Sequence, residues 1–172
     1  EAKAFLARRM VDLFALAMFM LGGFLLLSML SYNESDPSWN SAAPESAVIA
    51  NWMGGNGAWA SDLILQTLGL GGVFLSLVFI AWGARCFYRQ SIRPVLLRFV
   101  ASLVAALCLS VAFAQVPSAG WLSHPYLGSS AGALIVAKLE GVFSWLPSYA
   151  LIGFMGVMAL TIGLYGAAIR AY

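Results

Sequence analysis

Four stretches of this sequence run for about 20 residues with scarcely a charge, at residues 10–30, 63–84, 95–116 and 149–168. A helix rising about 1.5 Å per residue needs roughly that many apolar side chains to cross a hydrocarbon core of about 30 Å. Lipid offers no water to the backbone, and a helix satisfies its own N–H and C=O groups. Composition agrees: 62% of residues are hydrophobic, 9% are charged and the mean hydropathy is +0.88. A soluble domain carries about a quarter charged residues. The expected fold is an all-α integral membrane protein, a single membrane domain over residues 1–172 with four transmembrane helices.

A fifth apolar stretch, residues 129–146, carries Lys138 and Glu140 near its middle. A charge at mid-membrane costs about 2.5–3.5 kcal/mol on insertion scales. On a helical wheel Ile135, Leu139, Val142, Phe143 and Leu146 share one face, with Ala137, Lys138, Gly141 and Ser144 opposite. That pattern suits an interfacial or re-entrant helix on the periplasmic side, and Pro147 separates it from the fourth span.

Orientation follows from the basic residues. Lys3, Arg8, Arg9, Arg85, Arg89, Arg93, Arg98 and Arg170 fall at one set of span ends, eight of the nine Lys and Arg, and only Lys138 falls opposite. By the positive-inside rule that side is cytoplasmic, with both termini. Trp39, Trp52, Trp59, Trp121, Trp145, Tyr32, Tyr126 and Tyr149 fall on the outer side, and Trp82 and Tyr88 mark the inner boundary. Trp and Tyr collect at headgroup level because they are part apolar and part polar.

Several functions are argued against by what the spans contain. Their interior polar residues are Ser76, Ser102, Ser110 and Thr161, which bond back to helix carbonyls, and coupled transport calls for ionisable groups at that depth. Nine scattered cations make no nucleic-acid stripe. Cys86, Cys108 and the single His124 have no metal or disulfide spacing. No nucleophile elbow, zinc-protease motif or phosphate-binding loop occurs, so no catalytic, cofactor-binding or metal residue is assigned and no cofactor is expected.

Two other features stand out. Small residues recur at four-residue spacing, at Gly72 and Ser76, at Ala101 and Ala105, and at Ala159, Gly163 and Ala167. Such stripes let helices approach closely, either within one bundle or between copies. The first outer loop, residues 31–62, is long for a connection. It contains the turn-forming Asp36-Pro37, then Gly54, Gly55 and Gly57. Its candidate structural or interaction residues are Tyr32, Asp36, Pro37, Trp39, Gly57, Trp59 and Asp62. The second outer segment, residues 117–148, opens with turn chemistry at Pro117-Ser118-Ala119-Gly120 and His124-Pro125.

These residues also carry a resemblance. Ser31-Tyr32-Asn33, Asp36-Pro37-Ser38-Trp39-Asn40, Asn51 with Gly54-Gly55, Gly57-Ala58-Trp59 and Asp62-Leu63 are placed as in a known family. So are Trp82-Gly83-Ala84-Arg85 closing the second span and Gly128 opening the fifth stretch. Over nearly its whole length the chain resembles the N-terminal membrane domain of the FtsK/SpoIIIE DNA translocases. The resemblance implies a membrane anchor in the bacterial inner membrane at the division septum. It would contact other divisome membrane proteins and the lipid bilayer, and would couple division to chromosome segregation. It further implies a homo-oligomer, a hexamer by family analogy, and a separate cytoplasmic linker and ATP-driven motor through which alone DNA is bound. The chain itself is then not an enzyme. An oligomeric pore or channel, and less so a small-solute transporter, remain the alternatives.

Overall fold

A computed structural model describes residues 2–38, 48–120, 122 and 124–168. Six helices form among them: α1 (Ala2–Leu30), α2 (Gly54–Leu68), α3 (Leu70–Phe87), α4 (Val95–Ala112), α5 (Ser129–Val142) and α6 (Ser148–Gly166). The starts of α4 and α6 have a local cause. Pro94 and Pro147 stand immediately before them in extended backbone, at φ −80° and −67°. A proline there fixes φ and forfeits only an amide that the first helical turn could not have bonded.

Four helices are long and apolar enough to cross a membrane: Phe5–Leu30 of α1, then α3, α4 and α6. Each turns much of its surface outward, with Leu13, Leu96 and Leu160 among the exposed large side chains. Water would not tolerate that surface, and lipid covers it. α1 packs chiefly on α3 and α6 chiefly on α4, and the α3–α4 contact joins the two pairs. The bundle therefore reads α1, α3, α4, α6 across its width. α2 and α5 sit at one end, and the turn from α3 to α4 lies at the other.

The predicted span 63–84 is divided. α2 stops at Leu68, and α3 starts at Leu70 after Gly69, which adopts φ +54° and ψ −130°. A Cβ at that position would run into the Leu127 carbonyl oxygen. The break exists because the chain must turn there and the loop before α5 presses against it. Asp62 and Leu63 consequently belong to α2, a helix outside the span, and the last part of the predicted outer loop is helical from Gly54 onward.

The predicted third span, 95–116, ends as a helix at Ala112. Val116 precedes a proline, which disfavours helical backbone. Its carbonyl instead accepts the Leu127 N–H (2.9 Å), and the Pro125 carbonyl accepts the Ser118 N–H (2.9 Å). A single antiparallel bridge, Pro117 with Tyr126, ties this loop back on itself.

The fifth stretch forms a helix of 14 residues, too short for a perpendicular crossing. It packs inward through Ser129, Gly132 and Val136, with Ile135 against the Val111 and Ala114 cluster. Of the apolar wheel face, Val142 and Phe143 are exposed, whereas Ile135, Leu139 and Leu146 are half-buried. Lys138 is exposed, and the Glu140 carboxylate accepts the Ser148 hydroxyl (2.6 Å), linking α5 to α6.

Tight packing of α1 on α3 rests on two glycines. A Cβ on Gly22 would lie 2.7 Å from the Ser76 carbonyl oxygen and 2.8 Å from the Ile80 amide nitrogen. A Cβ on Gly83 would lie 2.8 Å from both the Ala15 carbonyl oxygen and the Phe19 nitrogen. Backbone cannot yield as a flexible side chain does. The neighbouring Gly23 has nothing within 4 Å of its virtual Cβ. We therefore expect Gly22→Ala and Gly83→Ala each to destabilise the solubilised protein by about 1–3 kcal/mol, the usual scale of overpacking. Gly23→Ala should be neutral or slightly stabilising, because alanine is the better helix former. Thermal melts of the three variants in one detergent separate these outcomes.

Candidate functional site

The end of the bundle bearing α2 and α5 is held by polar contacts that link distant parts of the chain. Asn51 is the hub. Its Nδ2 group donates to the carbonyls of Ser28 (2.8 Å) and Ser31 (3.3 Å), which the end of α1 leaves without helical partners. Its Oδ1 atom accepts the Met53 N–H (3.0 Å), and its carbonyl accepts the Gly54 N–H (2.9 Å) at the start of α2. Asn51 thus closes the end of one helix with its side chain and leads into the next with its side chain and its backbone carbonyl together. Gly57 is required beside it, since a Cβ there would strike Asn51 Oδ1 and the Met53 side chain.

Asp36 fixes the backbone that carries Asn51. Its two carboxylate oxygens accept the N–H groups of Ala50 and Asn51, each at 2.8 Å, and the residue is 3% exposed. A buried carboxylate is tolerated when amides satisfy it. The Trp52 N–H donates to the Ser31 hydroxyl (3.0 Å), closing the loop onto α1.

Asp62, also 3% exposed, forms a second node on α2. It accepts the Tyr32 hydroxyl (3.1 Å), the Ser38 hydroxyl (2.7 Å) and the Gln66 amide one turn along. A third node serves the break at Gly69. The Leu70 N–H donates to the Leu127 carbonyl (3.0 Å) and not to Gln66, so the Gln66 carbonyl accepts the Ser129 and Ser130 hydroxyls instead. The Leu68 carbonyl accepts the Ser110 hydroxyl from α4 (2.6 Å).

The sequence-predicted loop residues fall into two groups. Tyr32, Asp36, Gly57 and Asp62 are members of these nodes. Trp59 is 49% exposed and stands outside these nodes, and Pro37 is half-buried next to Asp36. Trp39 lies outside the described residues, as do Trp121 and Arg170. Exposed Val48, Trp52 and Trp59 form the outward side of this end. Sequence reasoning missed Ser110, Ser129 and Ser130 as partners of the Leu68 and Gln66 carbonyls, because serine carries no local signal for which distant carbonyl it will meet. Among the described residues no three His, Cys, Asp or Glu side chains are grouped to hold a metal.

The small-residue stripes are occupied inside the chain. Gly163 of α6 meets Phe74 of α3 (3.0 Å from a virtual Cβ) and Ala105 of α4 (3.6 Å). Ala159 and Ala167 are buried, Gly72 faces Ile64 and Met29, and Ser76 lies against Gly22; Ala101 is half-buried.

The opposite end gathers arginines. Arg89, just after α3, pairs with Asp12 of α1 (2.8 Å) and donates to the Arg8 carbonyl (3.4 Å). Arg98 of α4 donates to the Tyr165 carbonyl (2.6 Å) and lies 4.9 Å from that residue's ring centre. Trp82 corrects the sequence reading: it is 2% exposed, not a boundary anchor, and its indole N–H donates to the Gly166 carbonyl (2.9 Å). A buried indole needs such an acceptor, and the last turn of α6 supplies one. These contacts bring the starts of α1 and α4 and the ends of α3 and α6 to one end of the bundle.

Residues 7–169 match the 4TM region of DNA translocase FtsK/SpoIIIE. The chain belongs to that family. A DNA translocase FtsK of Azospirillum brasilense is 29% identical over 154 residues, covering 88% of this chain and 24% of the relative. One from Caulobacter vibrioides is 31% identical over 72% of this chain and 16% of its own length. One from Mesorhizobium japonicum is 30% identical over 81% of this chain and 16% of its length. The chain therefore spans about a quarter or less of these FtsK relatives. No solved structure matches. Four spanning helices together with the FtsK/SpoIIIE assignment put the chain in the inner membrane.

If Asn51 holds this end together, Asn51→Ala should cost about 1–3 kcal/mol for each buried carbonyl left unpaired. Asp36→Asn should also destabilise, because an amide has one acceptor oxygen for two converging N–H groups. Trp59→Ala should leave the melting temperature unchanged. Thermal melts combined with limited proteolysis of residues 31–53 test this, and an Asn51→Ala protein as protected as the parent would refute the hub.

Proposed function

We propose that this chain is the membrane anchor and septal interaction module of a bacterial DNA translocase, one that couples cell division to chromosome segregation. The observation that carries the reading is the match over residues 7–169 to the FtsK/SpoIIIE membrane region. The FtsK relatives from Azospirillum brasilense and Caulobacter vibrioides are DNA translocases several times longer than this chain. Translocation and nucleotide hydrolysis then belong to the remainder of such a protein, and the membrane region carries no enzymatic step.

The geometry supports an orientation. Lys3, Arg8, Arg9, Arg85, Arg89, Arg93 and Arg98 gather at the end where α1 starts and α6 finishes. Basic residues near span ends are retained on the cytoplasmic side. A cytoplasmic motor joined after α6 would meet DNA there, and copies would assemble as the hexameric motor does. The α2 and α5 end would face the periplasm, where Val48, Trp52 and Trp59 stand on a backbone fixed by Asp36 and Asn51 and offer a surface to divisome membrane proteins.

Two measurements test this reading. Alkaline phosphatase inserted after Ser35 should be active, and the same reporter inserted after Gln90 should be inactive; the reverse pattern overturns the orientation. In the full-length protein, combined Trp52→Ala and Trp59→Ala substitutions should impair septal recruitment and lengthen cells, with an unchanged melting temperature for the membrane region. Normal division and normal septal recruitment in that variant would remove this surface from the interaction.

A further inference from the structure

Between α1 and the α3–α4 turn lies a cleft of about 620 Å³, within the range of small-ligand pockets. Val11 and Phe14 of α1 and Ile92 of the turn give it an apolar floor, and Arg8, Arg89 and Arg93 line its charged side. Ile92 is 5% exposed and anchored in the core beside Trp82 and Cys86, so that wall is set by the fold. Arg89 is held by Asp12 from a left-handed turn at φ +57°.

The charges are unbalanced. Among the described residues, Asp12 is the only acid paired at this end, and Arg9 and Arg89 share it. Arg8 and Arg93 line the cleft without an ion pair among those residues. The cleft also sits at a defined depth: Val95 begins the α4 span, and α3 ends at Phe87. Apolar lining at the level of acyl chains and guanidinium groups at the level of headgroups fit one kind of ligand. A free phosphate would leave the apolar floor bare, and a zwitterionic lipid brings its own cation to the arginines.

We propose that this cleft binds an anionic phospholipid, its phosphate beside Arg8 and Arg93 and one acyl chain along Val11 and Phe14. Basic pockets between spanning helices recognise such headgroups, each arginine adding to the attraction. The proposal rests on the spans and the cleft alone, so it stands or falls separately from the septal reading.

The test uses the purified 172-residue chain with phosphatidylglycerol or phosphatidylcholine of identical acyl chains. Native mass spectrometry should show phosphatidylglycerol retained in preference. Arg8→Gln with Arg93→Gln should weaken that retention by roughly thirtyfold, taking about 1 kcal/mol for each arginine lost. Lys138→Gln at the other end should leave it unchanged. Equal retention of the two lipids overturns the proposal, as does competition by millimolar inorganic phosphate alone. A lipid-free dimer that dissociates on the double substitution would assign the cleft to a second copy and overturn it too. Should the double variant fail to fold, the parent protein still decides: phosphatidylglycerol with a photoreactive acyl chain should label residues 7–14 and 86–95, and labelling confined to other segments refutes the site.

Discussion

Every backbone polar group in or beside the hydrocarbon core needs a partner from the protein, and the break at Gly69 is where this chain meets that demand most visibly. Turning the chain there removes helical partners from the carbonyls of Gln66 and Leu68. Ser110, Ser129 and Ser130 replace them, and the Leu127 carbonyl takes up the Leu70 amide. α2, α4 and α5 are thereby fastened around one irregular point. The positions of α2 and of the loop it receives from α1 follow from that fastening.

The spans were legible because hydropathy is a property of contiguous residues. The starts of α4 and α6 could be read from Pro94 and Pro147, a local signal, whereas their ends, expected at 116 and 168, come earlier at Ala112 and Gly166. The division of the second span was not legible. Leu68-Gly69-Leu70 is apolar on both sides, and glycine is common inside membrane helices. What decides the break is the approach of Leu127, nearly sixty positions away. Asn51 illustrates the same limit at the candidate site. The sequence marks it as part of a family pattern, but its role depends on carbonyls at the end of α1. Trp82 misled for a related reason: proximity to Arg85 suggests a boundary, while its burial depends on where α6 ends. The inward face of α5 was also hidden in part, because two of the residues that pack, Ser129 and Gly132, are small and carry little hydrophobic signal beside Val136.

The two ends of the bundle are held by different physics. Around Asp36, Asn51 and Asp62 the contacts are short hydrogen bonds among buried groups, which specify one backbone path and tolerate little change. At the arginine end the ion pair of Arg89 with Asp12 is half-exposed, and such pairs contribute little stability on their own. Packing there comes instead from Ala15, Val78, Trp82 and Ile92. That division leaves arginines free to meet external charge without loosening the fold.

The final turn of α6 is gripped from two sides, by Trp82 of α3 through the Gly166 carbonyl and by Arg98 of α4 through the Tyr165 carbonyl. Tension applied beyond that turn would not simply peel α6 from the bundle. It would enter three helices together, loading their contacts in shear, the direction in which interlocked helices resist separation best.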